Sequence, residues 1–119
     1  MPLRAYDTTV TTAGGAGVAT GTGKLLLHGF KPIHAVQLDY SNEPATTDVT
    51  VKDGLTGTVL KKENTATDAV YYPRTLSSKS ADGSAGTAEV LTIGAELTIE
   101  VAGGDPAGAV KVTVIVDEL

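Results

Sequence analysis

The sequence contains no cysteine and no tryptophan, and it has only one phenylalanine and four tyrosines in 119 residues. Without cysteine, neither a disulfide framework nor a thiolate site can form. Aromatic residues make up 4% of the chain and apolar residues 41%, so a hydrophobic core must be built from Val, Leu, Ile and Ala. Because such a core is thin, burying more surface against another copy or a host surface would add stability.

Basic residues are also scarce. Nine Lys and Arg stand against fourteen Asp and Glu, which gives a formal net charge of −5, whereas nucleic-acid binding needs clustered cations. No apolar run approaches the roughly 18 to 20 residues of a membrane-spanning helix, and the first residues lack the apolar core of a signal peptide. We therefore expect a cytosolic protein with no nucleic-acid or membrane partner, in one domain of about 100 to 150 residues.

Motifs for catalysis or cofactor binding are incomplete. In "GTGKL", Lys24 is followed by Leu25 instead of Ser or Thr, so the phosphate-binding loop pattern fails. His28 and His34 are the only histidines, fewer than the three or four ligands of a zinc site. Ser84 lies in "DGSAG", which lacks the first glycine of a nucleophile elbow. We expect no enzyme activity, no cofactor and no metal.

Apolar and polar residues alternate over most of the chain, which is the period of a β-strand. "PATTDVTVKD", residues 44–53, is followed by a Gly-containing turn and predicts one arm of a hairpin. "ELTIEVA" (96–102) and "AVKVTVIV" (109–116) flank the turn formers "GGDPAG" and predict a second hairpin. Further strands are predicted in "GKLLLHGF", "KPIHAVQLDY", "GTVLKK", "AVYYPR" and "AEVLTI". The pattern predicts an all-β, single-domain antiparallel β-sandwich or jelly roll of about eight short strands.

Two segments have the composition of loops. Residues 11–23, "TTAGGAGVATGTG", are rich in Gly, Ala and Thr and lack large apolar side chains, apart from one valine. We therefore predict a flexible N-terminal arm or loop over residues 1–23, with the β-sandwich domain spanning 24–119. The stretch 77–86, "SSKSADGSAG", predicts an exposed loop tip.

Candidate contact residues are the few Tyr and Arg side chains, because these types are enriched at binding hot spots. Tyr71, Tyr72 and Arg74 come together in "VYYPR", and Arg4 and Tyr6 lie in the predicted arm. Since neighbouring residues of a strand face opposite ways, one of the two adjacent tyrosines should cap the core and the other face outward. Plain core packing of this segment remains the alternative to a role in an interface.

Several pieces of the chain together resemble a known class of proteins. They are "PATTDVTVKD", "NTATDAVYYPR", the Gly-rich "SADGSAGTAEV" and the closing "GAELTIEVAGGDPAGAVKVTVIVDE". This succession resembles the small capsid decoration, or cement, proteins of bacteriophages, over about residues 30 to 118. The segment up to Gly23 lies outside the resemblance.

The resemblance implies a β-sandwich or jelly-roll subunit that binds the outer surface of an assembled phage capsid and stabilises it. The implied partners are the major capsid protein and further copies of the chain, with a homotrimer favoured over a dimer, and the implied location is the virion surface after synthesis in the host cytoplasm. No enzyme activity is implied. Two alternatives stay open, another structural role in a phage tail or neck and a carbohydrate-binding or adhesion module, although the second is disfavoured by the shortage of aromatic side chains.

Overall fold

A computed structural model describes residues 3–27, 29–54, 57–76, 88–90, 92–94 and 96–118. Within these ranges the chain forms strands and no helix, which confirms the all-β prediction. The strands are β1 (Leu3–Thr11), β2 (Ala19–Leu26), β3 (Lys31–Ser41), β4 (Asp48–Asp53), β5 (Gly57–Lys62), β6 (Ala69–Tyr71), β7 (Arg74–Leu76), β8 (Ala88–Val90), β9 (Thr92–Ile93), β10 (Glu96–Gly104) and β11 (Ala109–Asp117).

Eight of these strands build two antiparallel sheets of four. The first sheet has the order β1-β11-β3-β6 and the second sheet the order β2-β10-β4-β5, while β9 pairs with the start of β3 and β7 pairs with β8. Numbered one to eight along the chain, the principal strands have the orders 1-8-3-6 and 2-7-4-5. This is the strand order of a jelly roll, so the structure selects that architecture from the two predicted.

The core lies between the two sheets and is entirely aliphatic. The inward residues of β11 and β10 alternate with outward polar residues, as their period of two requires. The fully covered side chains of these two strands are Val110, Val112, Val114 and Val116 from β11 and Leu97, Ile99 and Val101 from β10. Burying a Val, Leu or Ile side chain contributes about 1.5 to 3 kcal/mol, so two strands supply a large share of the driving force for folding.

One of the two predicted hairpins is confirmed and the other is wrong. Strands β4 and β5 pair antiparallel across the turn after Asp53, with Val51 opposite Leu60. Strands β10 and β11 both form where expected, but they lie in different sheets and do not pair. Because each has an apolar face, they stack across the core, and the turn between them carries the chain from one sheet to the other.

That connecting turn contains an unusual backbone conformation. The amide of Gly108 donates to the carbonyl oxygen of Asp105 at 3.1 Å, which closes a four-residue turn with Pro106 second and Ala107 third. The φ of Ala107 is 61°, in the left-handed region that favours glycine.

The prediction of an N-terminal arm outside the domain is wrong. β1 pairs with β11 from Leu3 opposite Asp117 to Thr11 opposite Ala109, and β2 pairs with β10. Residues 12–18 alone form the connection between these two strands. The boundary placed between residues 23 and 24 therefore falls inside β2, and the first strands are part of the jelly roll.

The glycines of β2 explain why this segment had the composition of a loop. Gly21 and Gly23 face inward against β1, where a side chain at Gly21 would overlap the carbonyl oxygen of Thr11. A Cβ at Gly23 would lie 2.7 Å from a methyl group of Val10, which is itself buried. The glycines let the edges of the two sheets approach closely, so their function is packing and not flexibility.

A carboxylate ties together the loops at the end of the sandwich where β1 ends. Glu43 accepts hydrogen bonds from the amide of Asp105 at 3.0 Å and from the hydroxyl of Thr12 at 3.2 Å. Asp105 in turn accepts the amide of Gly17 at 2.9 Å. Three of the connections at this end, those between β1 and β2, β3 and β4, and β10 and β11, are thereby held by one network. The loop tip predicted at 77–86 lies outside the described residues.

Candidate interaction surfaces

Four polar side chains, two from β1, one from β3 and one from the residue that follows β11, meet at the opposite end of the first sheet, where β1 begins. Arg4 and Tyr6 share one face of β1 because they are two residues apart. The hydroxyl of Tyr6 donates to Oε1 of Glu118 at 2.7 Å, and Nζ of Lys31 lies 2.7 Å from Oε2. The guanidinium of Arg4 lies 3.4 Å from the same carboxylate and 5.0 Å from the centre of the Tyr6 ring. We call these four residues the Glu118 cluster.

The electrostatics of the Glu118 cluster favour an ionised carboxylate. The hydrogen bond from Lys31, followed by that from Tyr6, lowers the pKa of Glu118. The same contact raises the pKa of Tyr6, chiefly because its hydroxyl donates to the carboxylate of Glu118. Two of the predicted contact residues, Arg4 and Tyr6, are thus held in place by partners within the chain.

Sequence reasoning missed Lys31 and Glu118. Glu118 is 112 residues from Tyr6 and 114 from Arg4, so no local spacing connects them. The signal that joins them is the register of β11 between β1 and β3, which a single sequence does not reveal.

The other predicted group lies at the β6 edge of the first sheet. Tyr71 packs against the core, with Nζ of Lys62 lying 4.8 Å from the centre of its ring. Tyr72 is 60% exposed, so the prediction that the two tyrosines face opposite ways is confirmed. The His34 ring meets the Tyr72 ring edge-on at 6.1 Å and 87°.

Arg74 extends this surface and is fixed by backbone contacts. Its guanidinium donates to the carbonyl oxygen of His34 at 3.2 Å and to that of Pro73 at 2.7 Å. The side chain is exposed, yet its position is set by two hydrogen bonds. We call Tyr72, His34 and Arg74 the Tyr72 patch. An exposed ring beside a fixed cation can contact an apolar group and an acidic group at once.

A half-buried tyrosine of β3, Tyr40, lies close to Tyr71. Burial, followed by the neighbouring Tyr71, raises the pKa of Tyr40 to about 12. The hydroxyl oxygen of Tyr40 is covered, and no described residue lies within hydrogen-bond distance of it. Its amide donates to the carboxylate of Asp68 at 2.7 Å. The Tyr40 side chain therefore packs within the fold, and its buried hydroxyl, unpaired among the described residues, lowers the free energy of unfolding.

The structure does not bring the two predicted groups together. The predicted residues of β1, Arg4 and Tyr6, and the predicted residues at and after β6 lie at opposite edges of the first sheet, three strand spacings or roughly 14 Å apart across the sheet. A role of Arg4, Tyr6, Tyr71, Tyr72 or Arg74 in an interface remains a prediction.

Other sites considered from the sequence receive little support from the part of the chain that is described. No group of three His, Asp or Glu side chains there is close enough to hold a metal ion. His28 and Ser84 fall outside the described residues. None of the described segments is a helix long and apolar enough to cross a membrane.

Comparisons with known proteins support the fold. No protein-family model matches the sequence, and no curated protein matches it. Among solved structures, a chain from the capsid asymmetric unit of cyanophage Pam1 is similar with a TM-score of 0.56 and 15% identity, covering 96% of this chain and 83% of that chain. The serine protease of Aeromonas sobria is similar with a TM-score of 0.50 and 7% identity, covering 98% of this chain and 28% of the protease.

A chitosan-binding module from a chitosanase/glucanase of Paenibacillus sp. IK-5 follows, with a TM-score of 0.49 and 11% identity, covering 92% of this chain and 76% of the module. At these identities the likeness concerns the fold alone. The chain has a β fold that also occurs in a component of a phage capsid.

Proposed function

We propose that this chain is a structural virion protein that binds the outer surface of an assembled phage capsid and stabilises it as a homo-oligomeric decoration protein. The observation that carries the proposal is the likeness to a chain of a phage capsid over nearly the whole length of both chains, 96% and 83%. The motifs that resemble decoration proteins support it independently. The proposed partners are the major capsid protein and further copies of this chain.

The role requires affinity and rigidity, and no catalytic group. A protein that binds the assembled shell, and not its free subunits, stabilises the shell by mass action. A contact with a dissociation constant near 1 μM corresponds to about 8 kcal/mol, and contacts repeated over a lattice reinforce one another. We accordingly propose a protein that is not an enzyme.

The Tyr72 patch is the surface that we propose contacts the capsid. Tyr and Arg are enriched among the residues that contribute most to binding. Tyr72 is 60% exposed, and Val70 beside it on β6 is 43% exposed. The backbone bonds of Arg74 fix its side chain before binding, so less conformational entropy is lost when a partner is contacted.

Co-sedimentation with undecorated phage heads tests the proposal. We expect the purified protein to pellet with heads and to raise the temperature at which the heads disrupt. A Tyr72→Ala, Arg74→Ala double variant should bind at least about tenfold more weakly, since hot-spot residues each contribute about 1.4 kcal/mol or more, with its own thermal melt preserved. Val18→Ala is the matched control, because Val18 is 69% exposed and lies in the loop between β1 and β2. Wild-type protein that stays in the supernatant would refute the proposal.

A carbohydrate-binding or adhesion role is the second candidate, and the exposed ring of Tyr72 with His34 edge-on is the observation that favours it. Such a ring offers an apolar face to a sugar. A glycan array separates the two, since binding to glycans that Tyr72→Ala abolishes, with no affinity for heads, would select this candidate. The same sedimentation with purified tails tests a tail or neck role.

A further inference from the structure

We propose that two copies of the chain pair through the edge of β1 that faces away from β11 and that no other described strand pairs with, a contact that rests on the homo-oligomeric part of the proposed function. The two sheets have four edge strands, β1 and β6 in the first sheet and β2 and β5 in the second. An edge strand presents unpaired N–H and C=O groups that can add a further strand, and proteins usually shorten or distort such edges.

Three of the four edges are shortened or distorted. β6 has three residues, and Pro73, which has no N–H, follows two residues after its end. A register shift interrupts the ladder between β5 and β4, next to Val51 and Lys52. Another shift interrupts the ladder between β2 and β10, between Val101 and Gly104. These are the devices by which sheets discourage further pairing.

β1 has none of these devices. Its nine residues pair with β11 without a register shift, and every residue from 3 to 9 is exposed or half-buried. In an antiparallel strand each residue directs its N–H and its C=O to the same side, and the side alternates from one residue to the next. The amide of Thr12, the residue after β1, donates to the carbonyl oxygen of Gly108. The backbone N–H and C=O groups of the even-numbered residues of β1 therefore point toward β11. The backbone groups of Leu3, Ala5, Asp7 and Thr9 consequently point to the open side.

A second copy of β1 can satisfy most or all of these groups, depending on the register. Two β1 strands related by a twofold axis run antiparallel, and odd-numbered residues then lie opposite odd-numbered residues, as the hydrogen bonds require. An axis at Arg4 would oppose two arginines and one at Asp7 two aspartates, which like-charge repulsion disfavours. Of the registers centred on residues 4 to 7, in the middle of the exposed part of β1, those on Ala5 and Tyr6 remain. Either register joins the first sheet of one copy to the first sheet of the other, which gives a continuous sheet of eight strands.

The register centred on Ala5 also extends a contact already present. Within one copy the Arg4 guanidinium lies 5.0 Å from the centre of the Tyr6 ring. In that register Arg4 of one copy is directly opposite Tyr6 of the other, at the cross-strand spacing of about 4.5 to 5.5 Å. Each copy has a net charge of −5, so long-range repulsion opposes the pairing and added salt should strengthen it.

Cysteine substitution tests this pairing directly, because the chain contains no cysteine. A disulfide needs Cα atoms about 4.4 to 6.8 Å apart, a separation that residues on the twofold axis satisfy. We expect mild oxidation to produce covalent dimers from either Ala5→Cys or Tyr6→Cys. Ala102→Cys is the control, since Ala102 is exposed on the outer face of the central strand β10. Cross-linking of all three variants at the same rate, or of none, would overturn the proposal.

Ala5→Pro gives a second test without a cysteine. Proline removes the outward N–H of residue 5 and leaves the bonds with β11, a substitution that edge strands tolerate. Two hydrogen bonds are lost for each dimer, so sedimentation equilibrium should show a dissociation constant at least about tenfold higher. Circular dichroism should show that the variant remains folded. If it does not fold, the cysteine variants decide.

The pairing and the capsid role can fail separately. A dimer that cross-links as expected but does not bind heads would support the pairing and refute the capsid proposal. A wild-type monomer at all concentrations would overturn the pairing. If that monomer bound heads and Ala5→Pro did not, the β1 edge would receive a segment of the capsid protein, and the capsid proposal would stand.

Discussion

Replacing Gly21 by alanine should destabilise the protein, although Gly→Ala substitution at an unstrained position is usually stabilising. A Cβ at Gly21 would overlap the carbonyl oxygen of Thr11 and lie 2.9 Å from a methyl group of Val10. The backbone oxygen cannot rotate away, so β1 has to move from β2. Overpacking of this kind is unfavourable by about 1 to 3 kcal/mol, and the reduced freedom of the unfolded chain offsets about 0.4 to 1 kcal/mol.

With both contributions near the middle of their ranges, the expected net loss is about 1 to 2 kcal/mol. Unfolding entropies near 2.1 cal/mol/K per residue make each kcal/mol equivalent to about 4 °C for 119 residues. Thermal denaturation followed by circular dichroism should show Tm falling by about 4 to 8 °C. Gly54→Ala is the matched control, since no heavy atom lies within 4 Å of its Cβ position and its φ is not positive. A Gly21→Ala protein that melts with or above the Gly54→Ala protein would refute the close packing of β1 on β2.

Three further predictions concern single side chains. Tyr40→Phe should stabilise the protein by up to about 1 kcal/mol, because the lost hydroxyl is buried without a partner among the described residues; urea denaturation that shows a clear loss would contradict this. Since the pKa of Tyr40 is raised to about 12, the native protein should also lose stability from about pH 10 to pH 12, and Tyr40→Phe should lose less. Ala107→Gly should raise Tm slightly, because a φ of 61° disfavours alanine by about 1 kcal/mol, whereas Ala102→Gly, in a strand, should lower it. The pKa of Glu118 is lowered in the folded state, so the stability advantage of the native protein over Glu118→Gln should be present above about pH 4.3 and disappear as pH falls further; a Tm difference that is the same at pH 7 and pH 3 would contradict it.

The strands themselves could be predicted because apolar and polar residues alternate along them with a period of two. Val49 and Val51 in β4 and the four valines of β11 alternate with polar residues, and burial of one face decides their conformation. The opposite orientation of Tyr71 and Tyr72 follows from the same period. These predictions depend only on residues close together in the chain.

The pairings could not be predicted because they join distant residues. A turn such as residues 103–108 shows that the chain reverses, but not whether it returns to the same sheet. The two strands around it, β10 and β11, both have aliphatic inward faces, and the three-dimensional packing alone distinguishes stacking from pairing. The Glu118 cluster depends on such pairings, so two of its four residues, Lys31 and Glu118, could not be predicted from the sequence.

Glycine caused the other error. In residues 11–23 its abundance suggested flexibility, since Gly raises the freedom of the unfolded chain. The same residue is also required where two backbones approach closely. Gly21 is of the second kind, and only the position of Thr11 on the neighbouring strand reveals it.

The central place of β11 in the first sheet sets the timing of folding during synthesis. β1 ends at Thr11 and its neighbour β11 begins at Ala109, so at about 5 to 20 residues per second a ribosome needs roughly 5 to 20 s between them. During that interval both long edges of β1 are unpaired, as is the β11-facing edge of β3. Folding dominated by such distant contacts is slow, on the order of milliseconds to seconds. The nascent chain is therefore most prone to aggregate before its last strand emerges, and a chain that terminates early would lack the strand that joins β1 to β3.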